Sequence, residues 1–161
     1  MSDGNSISVV LYDGVCGLCN RLNQFLLKRD SQNRFRFASL QSDVAAQILE
    51  RHGISAIDLD TVYVVANYGT ANENILARSD AVLHALRQLG GFWSLAATMG
   101  KIMPKPIRDA FYKGVAANRY RVFGKFDSCL MPEQRYRAKF LDTTVQSPRS
   151  KVQSPLLGEA D

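Results

Sequence analysis

One continuous stretch constrains this chain more than any other. The run Ile7-Ser8-Val9-Val10-Leu11-Tyr12 is followed by an Asp13-Gly14 turn and then by Cys16-Gly17-Leu18-Cys19. β-Branched residues with one small polar interruption read as a buried strand, and the Cys-x-x-Cys falls where a helix begins. Two thiols at i and i+3 lie one turn apart on one helical face, within reach of a disulfide. Unpaired N–H groups and the positive end of the helix dipole favour a thiolate there. This predicts Cys16 as the exposed, lower-pKa sulfur at the electropositive edge. Cys19 faces the same way as Leu22 and Phe25 and is expected to be shielded. A dithiol of this layout attacks a disulfide with one sulfur and releases the mixed disulfide with the other.

The rest of the pattern alternates strand and helix. Cys16 to about Arg29 reads as a helix, Arg34 to Ser39 as a strand, and Ser42 to His52 as a helix stopped by Gly53. After a loop from Ile54 to Asp60, Thr61 to Ala66 is almost wholly β-branched or aromatic. A turn at Asn67-Tyr68-Gly69-Thr70 returns it as a hairpin through Asn74 to Arg78. Ser79 is expected to cap a helix over Asp80–Leu89, with Val82, Leu83, Leu86 and Leu89 inward and Gly90-Gly91 ending it. The expected fold is α/β: a four-stranded mixed sheet with flanking helices, spanning residues 7–91.

A helical C-terminal extension over 92–141 is expected to pack on that core. Its segments are Phe92 to Met103, then Ile107 to Phe123 beyond Pro104 and Pro106, then a loop with Cys129 and Pro132, and a last short helix over Glu133–Leu141. Trp93 and the aromatics Phe111, Tyr112, Tyr120 and Phe123 are read as core. Residues 142–161, rich in Ser, Pro and Gln, read as a disordered tail.

Length and charge narrow the function classes. At 161 residues the chain can bury a core without staples. No apolar stretch is long enough to span a membrane, and the polar Met1–Ser8 segment does not read as a signal peptide. Three cysteines, two of them three apart, do not form a disulfide framework; the consistent expectation is a reducing, cytoplasmic setting. Residues 1–100 carry 8 basic and 9 acidic side chains, whereas residues 101–139 carry 10 basic and 3 acidic. The basic block reads as the solvated face of a helix or as a docking surface for an acidic partner or membrane headgroups. No recognition motif accompanies the charge, so nucleic acid is not expected.

A Cys-x-x-Cys inside a βαβ pattern points to thioredoxin-like redox chemistry. The alternatives are a thiolate metal-binding module, two cysteines buried as small hydrophobes, and a non-catalytic interaction module that binds through the basic helix Ile107–Phe123. Zinc would need two further ligands, and Cys129, His52 and His84 stand at no ligand-like spacing from the pair, so no metal or cofactor is assigned. The interaction reading predicts that Cys16→Ser is harmless while charge reversal at Arg119 and Arg121 abolishes function. Asp13 suits either of two roles, a proton acceptor for Cys19 or a cap for the turn or helix start. Cys129 is read as core or as a third redox thiol. The uncharged Gly17-Leu18 dipeptide points towards a reductant or neutral exchanger.

The sequence resembles the DCC family of thiol–disulfide oxidoreductases, whose Asp-x-x-Cys-x-x-Cys signature is here Asp13, Cys16 and Cys19. Arg78-Ser79-Asp80-Ala81-Val82, Leu89-Gly90-Gly91, Pro106-Ile107-Arg108-Asp109 with Tyr112, Asn118-Arg119-Tyr120-Arg121, Phe123-Gly124-Lys125, Asp127, Cys129 and Pro132 extend the likeness over roughly residues 7 to 141. The resemblance implies a thioredoxin-like fold with Cys16 as nucleophile and Cys19 as resolving thiol. Where thioredoxins place a cis-proline, before the strand facing the site, Asp60 precedes Thr61. The implied activity is exchange with a disulfide-bearing protein or a small thiol, regenerated by a separate electron donor.

Overall fold

The computed structural model describes residues 6–55, 61–126 and 133–142. Val9, Val10 and Leu11 suit a strand buried on both faces, and β1 (Ser8–Tyr12) is buried along its whole length. It is paired in parallel with β2 (Phe35–Ser39) and antiparallel with β3 (Tyr63–Ala66), which pairs antiparallel with β4 (Asn74–Ala77). The order β2-β1-β3-β4 makes a four-stranded mixed sheet, as expected for a thioredoxin-like domain. Register aligns Val10 with Phe37 on one side and Val64 on the other.

Because side chains alternate along a strand, the two faces acquire separate cores. Val9, Leu11, Ala38 and Val65 pack with Ala45, Ile48 and Leu49 of α2 (Asp43–Arg51). Val10, Tyr12, Phe35, Phe37 and Val64 pack with Cys19 and Leu26 of α1 (Gly17–Arg29) and with Ala81 and Ala85 of α3 (Arg78–Leu89). Ser42, read as the first residue of this helix, is its cap, accepting the Ala45 N–H at 3.2 Å. Ser79 does not cap α3. It lies inside the helix, buried, and donates to the Asp109 carboxylate instead. The small Ala81 and Ala85 let α3 approach the sheet closely, so Val82, Leu83 and Leu86 are half-buried rather than turned fully inward.

Gly90, at φ 73°, turns α3 directly into α4 (Gly91–Ile102). Pro104 caps α5 (Lys105–Phe123) and Pro106 falls in its first turn, so the two prolines open this helix rather than precede it. α5 packs on α1 and α3, but with an inverted polarity. Ile107, Phe111, Val115 and Val122 face outward, and Arg119 is buried. The expectation of Phe111 as core and Arg119 on a solvated face is therefore reversed. In place of a final α-helix, a 3-10 helix spans Gln134–Lys139. Phe140 then stacks on Phe37 at 5.2 Å, and Asp142 accepts the Ser39 N–H at 2.9 Å. Cys129, Asp60 and the segment 143–161 lie outside the described residues.

Candidate redox site

The site is assembled where β1 hands over to α1. Cys16 adopts extended backbone angles (φ −85°, ψ 121°) and is the N-cap of α1, its Sγ accepting the Cys19 N–H at 3.5 Å. A sulfur thus stands where Ser or Asp commonly satisfies an orphan amide, at the positive end of the helix. Asn20 holds the turn by donating to the carbonyls of Gly14 and Cys16 at 3.2 and 3.1 Å. Gly17 is required for another reason. A Cβ there would stand 2.1 Å from the Phe123 carbonyl oxygen, so only glycine lets the end of α5 cross this helix start.

That crossing changes the exposure of Cys16. Cys16 has no solvent-accessible surface and Cys19 only 3 %. The prediction of an exposed Cys16 is corrected: the chain leaving α5 runs antiparallel over it. Gly17 N–H donates to the Gly124 carbonyl at 3.2 Å, Cys16 bridges to Lys125, and Phe126 N–H donates to the Val15 carbonyl at 2.8 Å.

The sulfurs nevertheless divide as their helix positions suggest. The Cys16 thiol is lowered to about 6, chiefly by the hydrogen bond from the Cys19 thiol. The backbone amides of Cys19 and Leu18 and the charge of Arg119 assist, while burial opposes. Cys19 is pushed up by that same hydrogen bond, by burial and by the charge on Cys16. The two shifts run in opposite directions and favour the thiolate form at Cys16 and the protonated form at Cys19.

Beneath them, the buried Asp13 carboxylate accepts four hydrogen bonds. Oδ1 takes the Val15 N–H at 3.1 Å and Gln41 Nε2 at 2.9 Å. Oδ2 takes Arg119 Nη2 at 3.1 Å and the Tyr120 hydroxyl. A carboxylate offers about four lone-pair sites, and all are engaged. Arg119 also donates to the Tyr120 oxygen at 2.7 Å, and its guanidinium lies 4.6 Å from that ring's centroid. Burial and the bond to Asp13 push the Tyr120 hydroxyl up to about 12, so it remains a donor.

Of the residues singled out in the sequence, Asp13, Cys16 and Cys19 come together. His52 pairs with Glu73 at 3.0 Å, and His84 stands 3.3 Å from Ser8 Oγ, both away from the thiols. Among the described residues, no three His, Cys, Asp or Glu side chains converge as a metal-ligand set. The sequence places neither Gln41 nor Gly17 as a support of the thiols, and it gives Arg119 to a basic binding helix and Tyr120 to the core rather than to this site. The signal for the last two is the Asn118-Arg119-Tyr120-Arg121 segment, where helical spacing puts Arg119 on the polar side.

Residues 10–125 match the DCC1-like thiol-disulfide oxidoreductase family. The uncharacterized protein YuxK of Bacillus subtilis is 35 % identical over 133 residues, covering 83 % of this chain and 93 % of its own. A DCC family protein of Arabidopsis thaliana, named as chloroplastic, is 34 % identical over 121 residues, covering 75 % of this chain and 67 % of its own. No solved structure matches the chain.

Proposed function

Because the chain belongs to the DCC1-like thiol-disulfide oxidoreductase family, we propose that it reduces disulfides of a protein or small molecule by cycling Cys16 and Cys19. One observation carries the reading: a buried sulfur that caps a helix, with its pKa lowered, receives a hydrogen bond from a partner whose pKa is raised.

The Cys16 thiolate attacks one sulfur of the substrate disulfide, whose S–S bond breaks. The first thiolate leaves and is protonated by solvent. Cys16 is then uncharged, and two of the three influences that raise Cys19, its hydrogen bond to Cys16 and the Cys16 charge, fall away, leaving burial. Cys19 loses its proton, attacks Cys16 Sγ, and expels the second substrate thiolate, which takes up a proton. Two electrons have passed to the substrate, and a thiol reductant restores the Cys16–Cys19 dithiol.

Asp13 acts in this scheme as an anchor rather than a base. With its four acceptor positions filled it has no site for the Cys19 proton; it holds Arg119, whose charge favours the Cys16 thiolate. For a substrate to reach Cys16, the Gly124–Phe126 segment must lift.

A redox titration in glutathione buffers, read by thiol alkylation and mass spectrometry, tests the reading. The expected result is a reversible two-electron transition joining Cys16 to Cys19, absent in Cys16→Ser, with Cys19→Ser trapping a mixed disulfide. A pair that never forms a disulfide would overturn it.

A further inference from the structure

Every large hydrophobic side chain that stands exposed among the described residues falls between Phe92 and Phe126. On α4, Phe92, Leu95, Met99 and Ile102 recur at helical spacing and are 73, 60, 63 and 80 % exposed. Phe111 and Val122 on α5 are 76 and 69 % exposed. Scattered exposed hydrophobics are ordinary, but eight on one helical pair, with Met103 in the connection between them, form a surface that expects a cover. A cavity of about 540 Å³ opens among α3, α4 and α5, lined almost wholly by apolar groups such as Val82, Leu83 and Met103.

The charge around this surface selects the cover. Lys101, Lys113 and Arg121 are exposed and have no acidic partner among the described residues. The single acidic residue between 91 and 126 is Asp109, half-buried and engaged by Ser79. A two-fold contact with a second copy would lay this cationic, acid-free surface against itself. Protruding Phe, Leu, Ile and Met side chains flanked by Lys and Arg are instead the composition of a helix that lies in a membrane interface. No described helix is long and apolar enough to cross a bilayer.

We propose that α4 and the outer face of α5 dock on an anionic lipid bilayer, the apolar side chains entering the headgroup–acyl boundary and the cations meeting lipid phosphates. The inner face of α5 keeps Arg119 and Tyr120 on the thiol site, so the bound protein presents its redox centre beside the bilayer.

The test is sedimentation of the purified full chain with vesicles of phosphatidylcholine alone or containing phosphatidylglycerol. Binding is expected to the anionic vesicles and to be weak with the neutral ones. Lys101→Gln/Lys113→Gln/Arg121→Gln should weaken it about a hundredfold, each cation near an anionic surface being worth a factor of about five. Leu95→Ser/Ile102→Ser should weaken it about tenfold or more. Both variants alter exposed positions, and an unchanged Cys16 alkylation profile shows that they fold and retain the thiol site. Failure to bind either vesicle, or binding indifferent to both variants, overturns the proposal. So does charge-dependent binding to polyglutamate without vesicle binding, which assigns the surface to an acidic protein. A dimer seen by ultracentrifugation and lost in Leu95→Ser assigns it to a second copy. None of these readouts depends on thiol exchange.

Discussion

The two ends of α5 are tied to the rest of the molecule by similar chemistry in different surroundings. At its N-terminal end, Asp80 of α3 takes Lys105 at 2.8 Å and Arg108 at 3.0 Å. At its C-terminal end, Asp13 beyond β1 takes Arg119 at 3.1 Å. The Lys105 side chain is 63 % exposed and Asp80 28 %, whereas Arg119 and Asp13 are 3 and 2 %. Water already solvates the first pair, so making it gains little. The second has given up its hydration, and losing either partner strands a buried charge. The first tie fastens a helix; the second also places a positive charge where it favours the Cys16 thiolate.

The largest expected effect follows from that contrast. Arg119→Met should destabilise the protein by about 3–5 kcal/mol in urea unfolding, because the buried Asp13 carboxylate loses its cationic partner. Adding Asp13→Asn should recover much of the loss, a non-additivity that a double-mutant cycle measures directly. If Arg119→Met costs no more than a surface pair, the distinction between the two ends collapses. Where the single variant fails to fold, Arg119→Lys retains the charge without the planar fork and gives a smaller loss.

The sulfur side of the comparison is sharpened by pH. Alkylation of Cys16 should rise with an inflection near pH 6, while Cys19 stays unreactive. The stability effect has a definite sign. With its folded pKa lowered from 9.0 to about 6, Cys16 binds fewer protons in the native state between those values. Its contribution is complete above pH 9 and lost as pH falls to about 6. Cys19, raised, contributes below its ordinary pKa and loses that as pH rises beyond it. The reduced protein should therefore gain stability over Cys16→Ser between about pH 6 and 9, at no more than ~1.4 kcal/mol per pH unit. A flat difference would show that the Cys19 hydrogen bond, the helix-start amides and Arg119 together leave the thiol unperturbed.

How far these features could be read from residues alone differs between the two sheet faces. The β1 run, the hairpin around Gly69 and the capped α2 are local: alternation, β-branching and a Ser-Asp start are enough. The Cys16/Cys19 pair is local too. The phase of α5 is not. Helical spacing reveals the Ile107–Phe111–Val115 stripe but not which side of it meets the core, and here the stripe is turned outward. What decides the matter is Asp13, 106 positions before Arg119, whose buried carboxylate attracts a cation rather than a phenylalanine. The burial of Cys16 was hidden for the same reason, since its cover comes from residues 124–126.

That cover can be loosened without touching a charge. Gly17→Ala puts a methyl 2.1 Å from the Phe123 carbonyl oxygen, a backbone atom that must move. The expected cost is about 1–3 kcal/mol, as for other overpacked sites. Alkylation of Cys16 at fixed pH should also quicken as the 124–126 segment lifts. Loss of stability with unchanged alkylation would mean that the segment does not control access.

The smallest expected effect belongs to the other end of the helix. Hydrogen bonding from Lys105, with the charges of Lys105 and Arg108, holds the Asp80 carboxyl below its ordinary range. Its contribution is thus present above that range and lost as pH falls through the lowered value. Asp80→Asn removes the charge but keeps a similar shape, and should cost no more than ~1 kcal/mol at neutral pH, shrinking further in high salt. The Cys16 alkylation profile should stay in place, because Asp80 is not among the groups that shift that thiol. A displaced inflection would instead mean that the two ends of α5 are coupled through the helix. Arg119 would then report the state of the Asp80 cluster to the sulfur.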